Sequence, residues 1–288
     1  MIPRPFAYHA PDTLQAVLAL LSEHGDQAKL LAGGHSLLPM MKLRFAAPEH
    51  LIDLRLVKEL CGIVVTGEEI RIGAMTTEHD IVASAILAEH LPLLVETARQ
   101  IADPQVRYKG TIGGDISHGD PGNDHPAVML ALGASFVLAG PKGERVVPAT
   151  DFFLGTYATA MEPDEVMTQI RVPKPAAGSG ACYAKLKRKT GDYATAAAAV
   201  VLRLEAGVCA EVSIALTNVA PAAMRADAAE ASLMGKTVDD AAIAEAGRHA
   251  MEACEPAADL RGDEEYKRAM AGQMVERALR AALQRCAA

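Results

Sequence analysis

Two glycine pairs, Ala32-Gly33-Gly34-His35-Ser36 and Thr111-Ile112-Gly113-Gly114-Asp115, constrain this chain more than anything else in it. Each follows an extended run and precedes an apolar stretch. Each reads as a tight turn in which backbone N–H groups meet a phosphate with no side chain between them. The pairs stand almost eighty residues apart. Two such cradles suit one ligand with two phosphates, so the fold must bring distant segments to one place.

At 288 residues, 50% of them hydrophobic, the chain is long enough for a large core and two or three subdomains. A net charge of -8 and the lack of a basic cluster interleaved with aromatics argue against nucleic-acid binding. The one dense basic run, Lys185-Leu186-Lys187-Arg188-Lys189, alternates as the solvated edge of a strand would. No secretory signal opens the chain, and no stretch approaches the ~18 apolar residues that span a bilayer. A cytoplasmic protein is expected. The five cysteines are scattered and show no C-x-x-C spacing, so they read as buried thiols rather than a disulfide frame or iron–sulfur ligands.

The first segment reads as an α/β unit: a helix from Pro11-Asp12-Thr13 with Asp12 as its cap, a strand at Lys29–Leu31, the glycine turn, a compact apolar stretch over Leu37–Leu43, and a strand at 50–54. A second unit carries strands near 62–65 and 69–72, a helix over 77–87, another from Pro92 to about Ile101, and a helix from Asn123 or Asp124 to Leu132. A hairpin follows around Gly140-Pro141-Lys142-Gly143. Between them, 103–124 reads as a functional loop. Beyond the linker-like Pro173–Gly180 stretch come strands at 181–188, 197–204 and 209–219, then helices at 226–233, 238–254 and 264–285. In the last helix Tyr266, Met270, Met274, Leu279 and Leu283 form the expected core stripe.

Neither glycine pair fits the G-x-G-x-x-G or G-x-x-x-x-G-K-[ST] fingerprint. The longer strings are more specific. Ala32 to Lys42 followed by Leu51-Ile52-Asp53-Leu54, and Thr111 to Asp115 with Gly119-Asp120-Pro121-Gly122-Asn123-Asp124, resemble the two FAD-binding loops in the flavoprotein subunits of molybdenum hydroxylases, the xanthine dehydrogenase-like family. The resemblance extends through Lys185–Ala196 and Leu216–Ala220 and so covers nearly the whole chain. It implies an α+β fold with two N-terminal α/β FAD-binding subdomains of the vanillyl-alcohol-oxidase-like kind, at 1–55 and 56–177. A C-terminal antiparallel sheet with helices follows at 178–288.

By the same resemblance, FAD is the cofactor, and the backbone of Ala32, Gly33, Gly34, His35 and Ser36, with that of Thr111, Ile112, Gly113, Gly114 and Asp115, holds its pyrophosphate. Tyr193 lies against the isoalloxazine, where an aromatic ring can stack. Asp124 is either a ligand for the adenosine end or a helix cap. Lys185 either sets a cation near the flavin's carbonyl edge or is a surface lysine. A carboxylate at Asp115, where some relatives carry Asn, would repel the pyrophosphate unless it turned away. His118 and His125 flank the acidic turn with no third ligand at a suitable spacing, so no metal is expected there.

A chain with neither iron–sulfur ligands nor a molybdopterin site needs partners for hydroxylase chemistry. The resemblance implies a small subunit with two [2Fe–2S] clusters and a molybdopterin large subunit in a dimer of heterotrimers, with an external acceptor such as a quinone. That acceptor would bring the complex to the cytoplasmic face of the membrane. No residue of this chain is expected to act as acid, base or nucleophile. A hydroxylase for a purine, N-heterocycle or aldehyde, a stand-alone FAD oxidoreductase and a degenerate structural module are the alternatives.

Overall fold

The computed structural model describes residues 1–286, and three sheets organise it. The first is a parallel sheet in the order Ala7–His9, His50–Asp53, Ala28–Leu31. Helix Leu14–His24 lies on it, burying Val17 and Leu21 against Ile52 and Leu54. Thr13, not Asp12, caps this helix, its hydroxyl accepting from the Ala16 N–H. Helix Leu37–Leu43 forms despite Pro39, because a residue in the first helical turn has no intrahelical partner for its N–H anyway.

The second sheet is antiparallel, in the order Ile63–Thr66, Glu69–Gly73, Val166–Pro173, Ser135–Gly140, Gly143–Pro148. Its central strand, Val166–Pro173, is absent from the sequence reading. A bulge between Met167 and Gln169 breaks the alternation that would have marked it. The expected single helix at 77–87 is two, Glu78–Ala83 and Ala85–His90, because Ser84 turns extended and caps the second through the Leu87 N–H. The 103–124 stretch holds two short helices, Pro104–Arg107 and Ile112–His118. The second glycine pair therefore opens a helix and is not a free turn.

The third sheet runs Gly180–Leu186, Ala196–Glu205, Val208–Thr217, Met224–Arg225. Its inner strand Ala196–Glu205 is covered on both faces. Ala196, Ala198, Val200 and Leu202 meet the C-terminal helices, while Ala197 and Ala199 join the core of the second sheet. This explains the alanine run, since a doubly covered strand needs small apolar residues on both sides. The last helix, Glu264–Cys286, crosses so closely that a Cβ on Gly180 would lie 1.9 Å from the Ala282 carbonyl oxygen. Its buried stripe is Ala271, Met274, Val275, Ala278, Leu279 and Ala282, and Tyr266 is 46% exposed. The expected stripe is thus rotated towards the small residues that allow this approach. Of the cysteines, Cys182, Cys209 and Cys254 are buried, Cys286 is half-buried and Cys61 is exposed, against the expectation of five buried thiols.

Candidate cofactor site

The first glycine loop leaves the carboxyl end of strand Ala28–Leu31, and Gly34 adopts a φ of 77°, which a side chain would strain. Gly33 serves close approach: a Cβ there would lie 2.4 Å from the Lys109 carbonyl oxygen and 2.8 Å from Gly110 Cα. The first loop therefore rests directly on the peptide that leads into the second. On the other side a Cβ at Gly113 would lie 2.5 Å from that of Ala74, and one at Gly114 would lie 3.3 Å from that of Ala32. The two glycine pairs are neighbours in space.

Their backbone donors are used differently. Gly33, Gly34, His35 and Ser36 donate no backbone hydrogen bond to any of the described residues, although all four line a common cavity. In the second loop the donors are engaged: Ile112 to the Thr76 carbonyl, Gly113 to Ala74, Asp115 to the Thr111 carbonyl, and Gly114 to the Thr111 hydroxyl at 3.2 Å. The first loop offers donors, and the second offers a wall without side chains. Ile112 is fully buried in the core behind that wall.

The cavity encloses about 850 Å³. It gathers Ala32, Gly33, Gly34, His35, Ser36, Thr111, Gly113, Gly114, Asp115, Asp124, Lys185 and Tyr193 from all three parts of the chain, together with apolar residues such as Met75, Ile101, Val166 and Met167. Such a space, mostly apolar with a few convergent polar groups, suits a large, partly aromatic ligand.

Asp124 does not cap helix His125–Ala131 with its side chain. Its carboxylate instead receives the Tyr183 hydroxyl at 2.5 Å and the Lys185 ammonium at 2.6 Å, all three side chains being buried. Lys185 is therefore neither a surface lysine nor part of a solvated strand edge. Burial, and then the Asp124 charge, hold the Tyr183 hydroxyl well above its ordinary pKa. Tyr183 escaped the sequence reading, because only the third sheet brings it over Asp124.

A second buried cluster lies beneath Asp115. His125 and Glu78 meet at 2.7 Å, both buried. Burial disfavours the imidazolium, but the charge and hydrogen bond of Glu78, then Asp115 and Asp124, raise the His125 pKa to about 9. Asp115 is pushed up to about 8, chiefly by burial, with Glu78, Asp124 and Asp120 reinforcing it against His125. At neutral pH it is mostly protonated. Burial thus disfavours a negative charge on the carboxyl group that lines the cavity at this point. Its Oδ2 is buried and lacks a partner among the described residues. The Asn123 amide donates to the Asp115 carbonyl at 2.8 Å and ties the acidic turn to the second loop.

Tyr193 is 45% exposed at the cavity mouth, with the Arg261 guanidinium 5.4 Å from the centre of its ring. Asp192 receives Arg188 at 3.1 Å and Arg261 at 2.9 Å and accepts from the Tyr193 N–H, so the position of the ring is held by a charged network.

An α/β body whose glycine loops converge on a large cavity, closed by a third sheet that contributes a lysine and a tyrosine, is the architecture of a dinucleotide-binding flavoprotein. Residues 4–175 match the FAD binding domain in molybdopterin dehydrogenase, and residues 181–282 match the CO dehydrogenase flavoprotein C-terminal domain. The chain belongs to this family of FAD-binding subunits of molybdenum hydroxylases, in its carbon monoxide dehydrogenase branch. It is 58% identical to the carbon monoxide dehydrogenase medium chain of Hydrogenophaga pseudoflava, over 100% of each chain, and 51% identical to that of Afipia carboxidovorans over 97% of each. The solved carbon monoxide dehydrogenase from Hydrogenophaga pseudoflava that lacks the Mo-pyranopterin moiety superposes with a TM-score of 0.98 at 61% identity, covering 99% of this chain and 100% of that one. FAD is the cofactor, and the chain is part of a multi-subunit oxidoreductase.

Proposed function

We propose that this chain collects electrons on FAD within a complex that oxidises carbon monoxide to carbon dioxide at another subunit. Four consecutive N–H groups, from Gly33 to Ser36, without partners among the described residues on the wall of a cavity also lined by Gly113 and Gly114, support the cofactor's place, and the 58% identity to a carbon monoxide dehydrogenase medium chain supports the substrate. In this reading residues 1–55 and 56–177 are the two lobes that clasp the cofactor, and 178–288 cover it. The Gly33–Ser36 amides and the Thr111 hydroxyl bind the pyrophosphate. Protonated Asp115 spares it a nearby negative charge and has a proton to donate. Tyr193 packs against the isoalloxazine. Asp124 orients Lys185, so that a cation stands beside whichever part of the cofactor gathers negative charge.

Bound there, FAD supplies the chemistry that joins single-electron donors to a two-electron acceptor. The protein's part is to hold it, exclude water from one side and set its electrostatic surroundings. The donors in this reading are [2Fe–2S] clusters of a small subunit, fed by a molybdopterin large subunit in a dimer of heterotrimers, and a quinone is the acceptor. The complex works in the cytoplasm and meets its acceptor at the membrane face. Among the described residues no helix is long and apolar enough to cross a membrane.

Purification of the native complex through this chain, followed by metal analysis and anaerobic addition of carbon monoxide, tests the reading. Iron and molybdenum should accompany the chain, and carbon monoxide should bleach the visible flavin band. A complex with both metals that is bleached only by an aldehyde or N-heterocycle would overturn the substrate and keep the electron-collecting role. A chain that turns over a substrate alone would overturn both.

A further inference from the structure

Three histidines far apart in sequence, His9, His24 and His50, meet at one rim of the first sheet. His9 ends strand Ala7–His9, His24 ends helix Leu14–His24, and His50 opens strand His50–Asp53. The parallel register pairs Ala7 with His50 and His9 with Ile52, so His9 and His50 share a face, the one that helix Leu14–His24 covers. The His24 and His50 rings stack with centroids 3.6 Å apart, and His9 lies 5.4 and 5.3 Å from them. His9 Nε2 and His50 Nδ1 are 3.0 Å apart, and one ring nitrogen of each histidine lies within 4.8 Å of the others. All three are half-buried, and none lines the cofactor cavity.

We infer that this cluster is a binding site for a divalent transition-metal ion of the zinc type. Two nitrogens on one tetrahedral zinc, each at about 2.0–2.1 Å, stand roughly 3.4 Å apart. The His9–His50 separation is already close to that, and rotation of the His24 ring about its side-chain bonds brings in the third donor. Three neutral imidazoles with a fourth position left to solvent suit zinc, nickel or copper, and not magnesium or calcium, which favour oxygen. The His9–His50 contact uses one ring nitrogen as donor and the other as acceptor. Metal binding replaces that hydrogen bond with two coordinate bonds. The ion then links two strands and a helix in the lobe whose other strand, Ala28–Leu31, runs into the first glycine loop.

Equilibrium dialysis of the untagged full chain against zinc alone tests this independently of the electron-transfer reading. One zinc per chain is expected, and H24N/H50N should weaken binding by at least about tenfold with FAD content unchanged. H24C, which replaces one zinc ligand with another, should keep binding. Cobalt(II) in the wild-type chain should give the intense visible bands of tetrahedral coordination. Equal zinc uptake by the wild type and H24N/H50N would overturn the site, as would wild-type chain that takes up no zinc or holds cobalt only as the pale aquo ion. Should the double variant fail to fold, the cobalt spectrum of the wild type decides alone.

Discussion

The Lys185 ammonium lies 2.6 Å from the Asp124 carboxylate with both side chains buried, joining the third sheet to the acidic turn of the second lobe. A pair of this kind stabilises less by its own attraction than by what its rupture exposes. K185M leaves Asp124 buried with only Tyr183 as a donor and should destabilise the chain by about 3–5 kcal/mol in urea unfolding. Tyr183→Phe removes a single hydrogen bond to a charged acceptor and should cost less, about 1.5–3 kcal/mol.

Gly33 is required for contact, not for backbone freedom. Gly33→Ala forces a Cβ against the Lys109 carbonyl and should part the two loops, costing about 1–3 kcal/mol and a measurable share of bound FAD. Gly155→Ala is the matched control, since its new Cβ meets nothing nearer than 4.0 Å, and it should leave flavin content unchanged.

The pH dependence follows from Asp115 and His125, whose folded pKa values of about 8 and about 9 lie above their ordinary values of 3.8 and 6.5. A group raised in the folded state stabilises it fully below the unfolded pKa and loses that contribution as pH climbs through the folded one. The Asp115 contribution should therefore be lost between about pH 4 and 8, and that of His125 between about pH 6.5 and 9, where the folded chain still holds protons that the unfolded chain has lost. FAD affinity should fall above pH 8, as a negative Asp115 comes to face the pyrophosphate. Asp115→Asn should remove the Asp115 part of both effects, read by urea midpoints and flavin titration across that range.

Tyr193→Ala should alter the shape of the flavin absorption bands, weaken binding by about 0.5–1.5 kcal/mol and slow reoxidation by the acceptor. Tyr193→Phe should keep the band shape if, as proposed, the ring rather than the hydroxyl packs against the flavin.

The glycine loops were legible in the sequence because what they require is local: a close approach or a positive φ excludes side chains wherever the partner comes from. Gly34 and Gly33 illustrate the two cases. What the second loop does with its amides was not legible, since Ile112 and Gly113 donate to Thr76 and Ala74, which belong to another element. Strand Val166–Pro173 was hidden by its bulge and by partners that lie far away at 69–73 and 135–140. The alternation of Lys185 and Lys187 suggested a wet edge. Lys185 turned out to be buried because Asp124 and Tyr183 wait beneath it, a tertiary arrangement that no spacing reveals.

A crystal structure of the chain with FAD tests the central claim most directly, because it locates the pyrophosphate. The phosphate oxygens should lie within hydrogen-bonding distance of the Gly33–Ser36 amides, with Gly113 and Gly114 across from them and Tyr193 against the flavin ring. A pyrophosphate bound elsewhere, with those four amides left to water, would contradict the account.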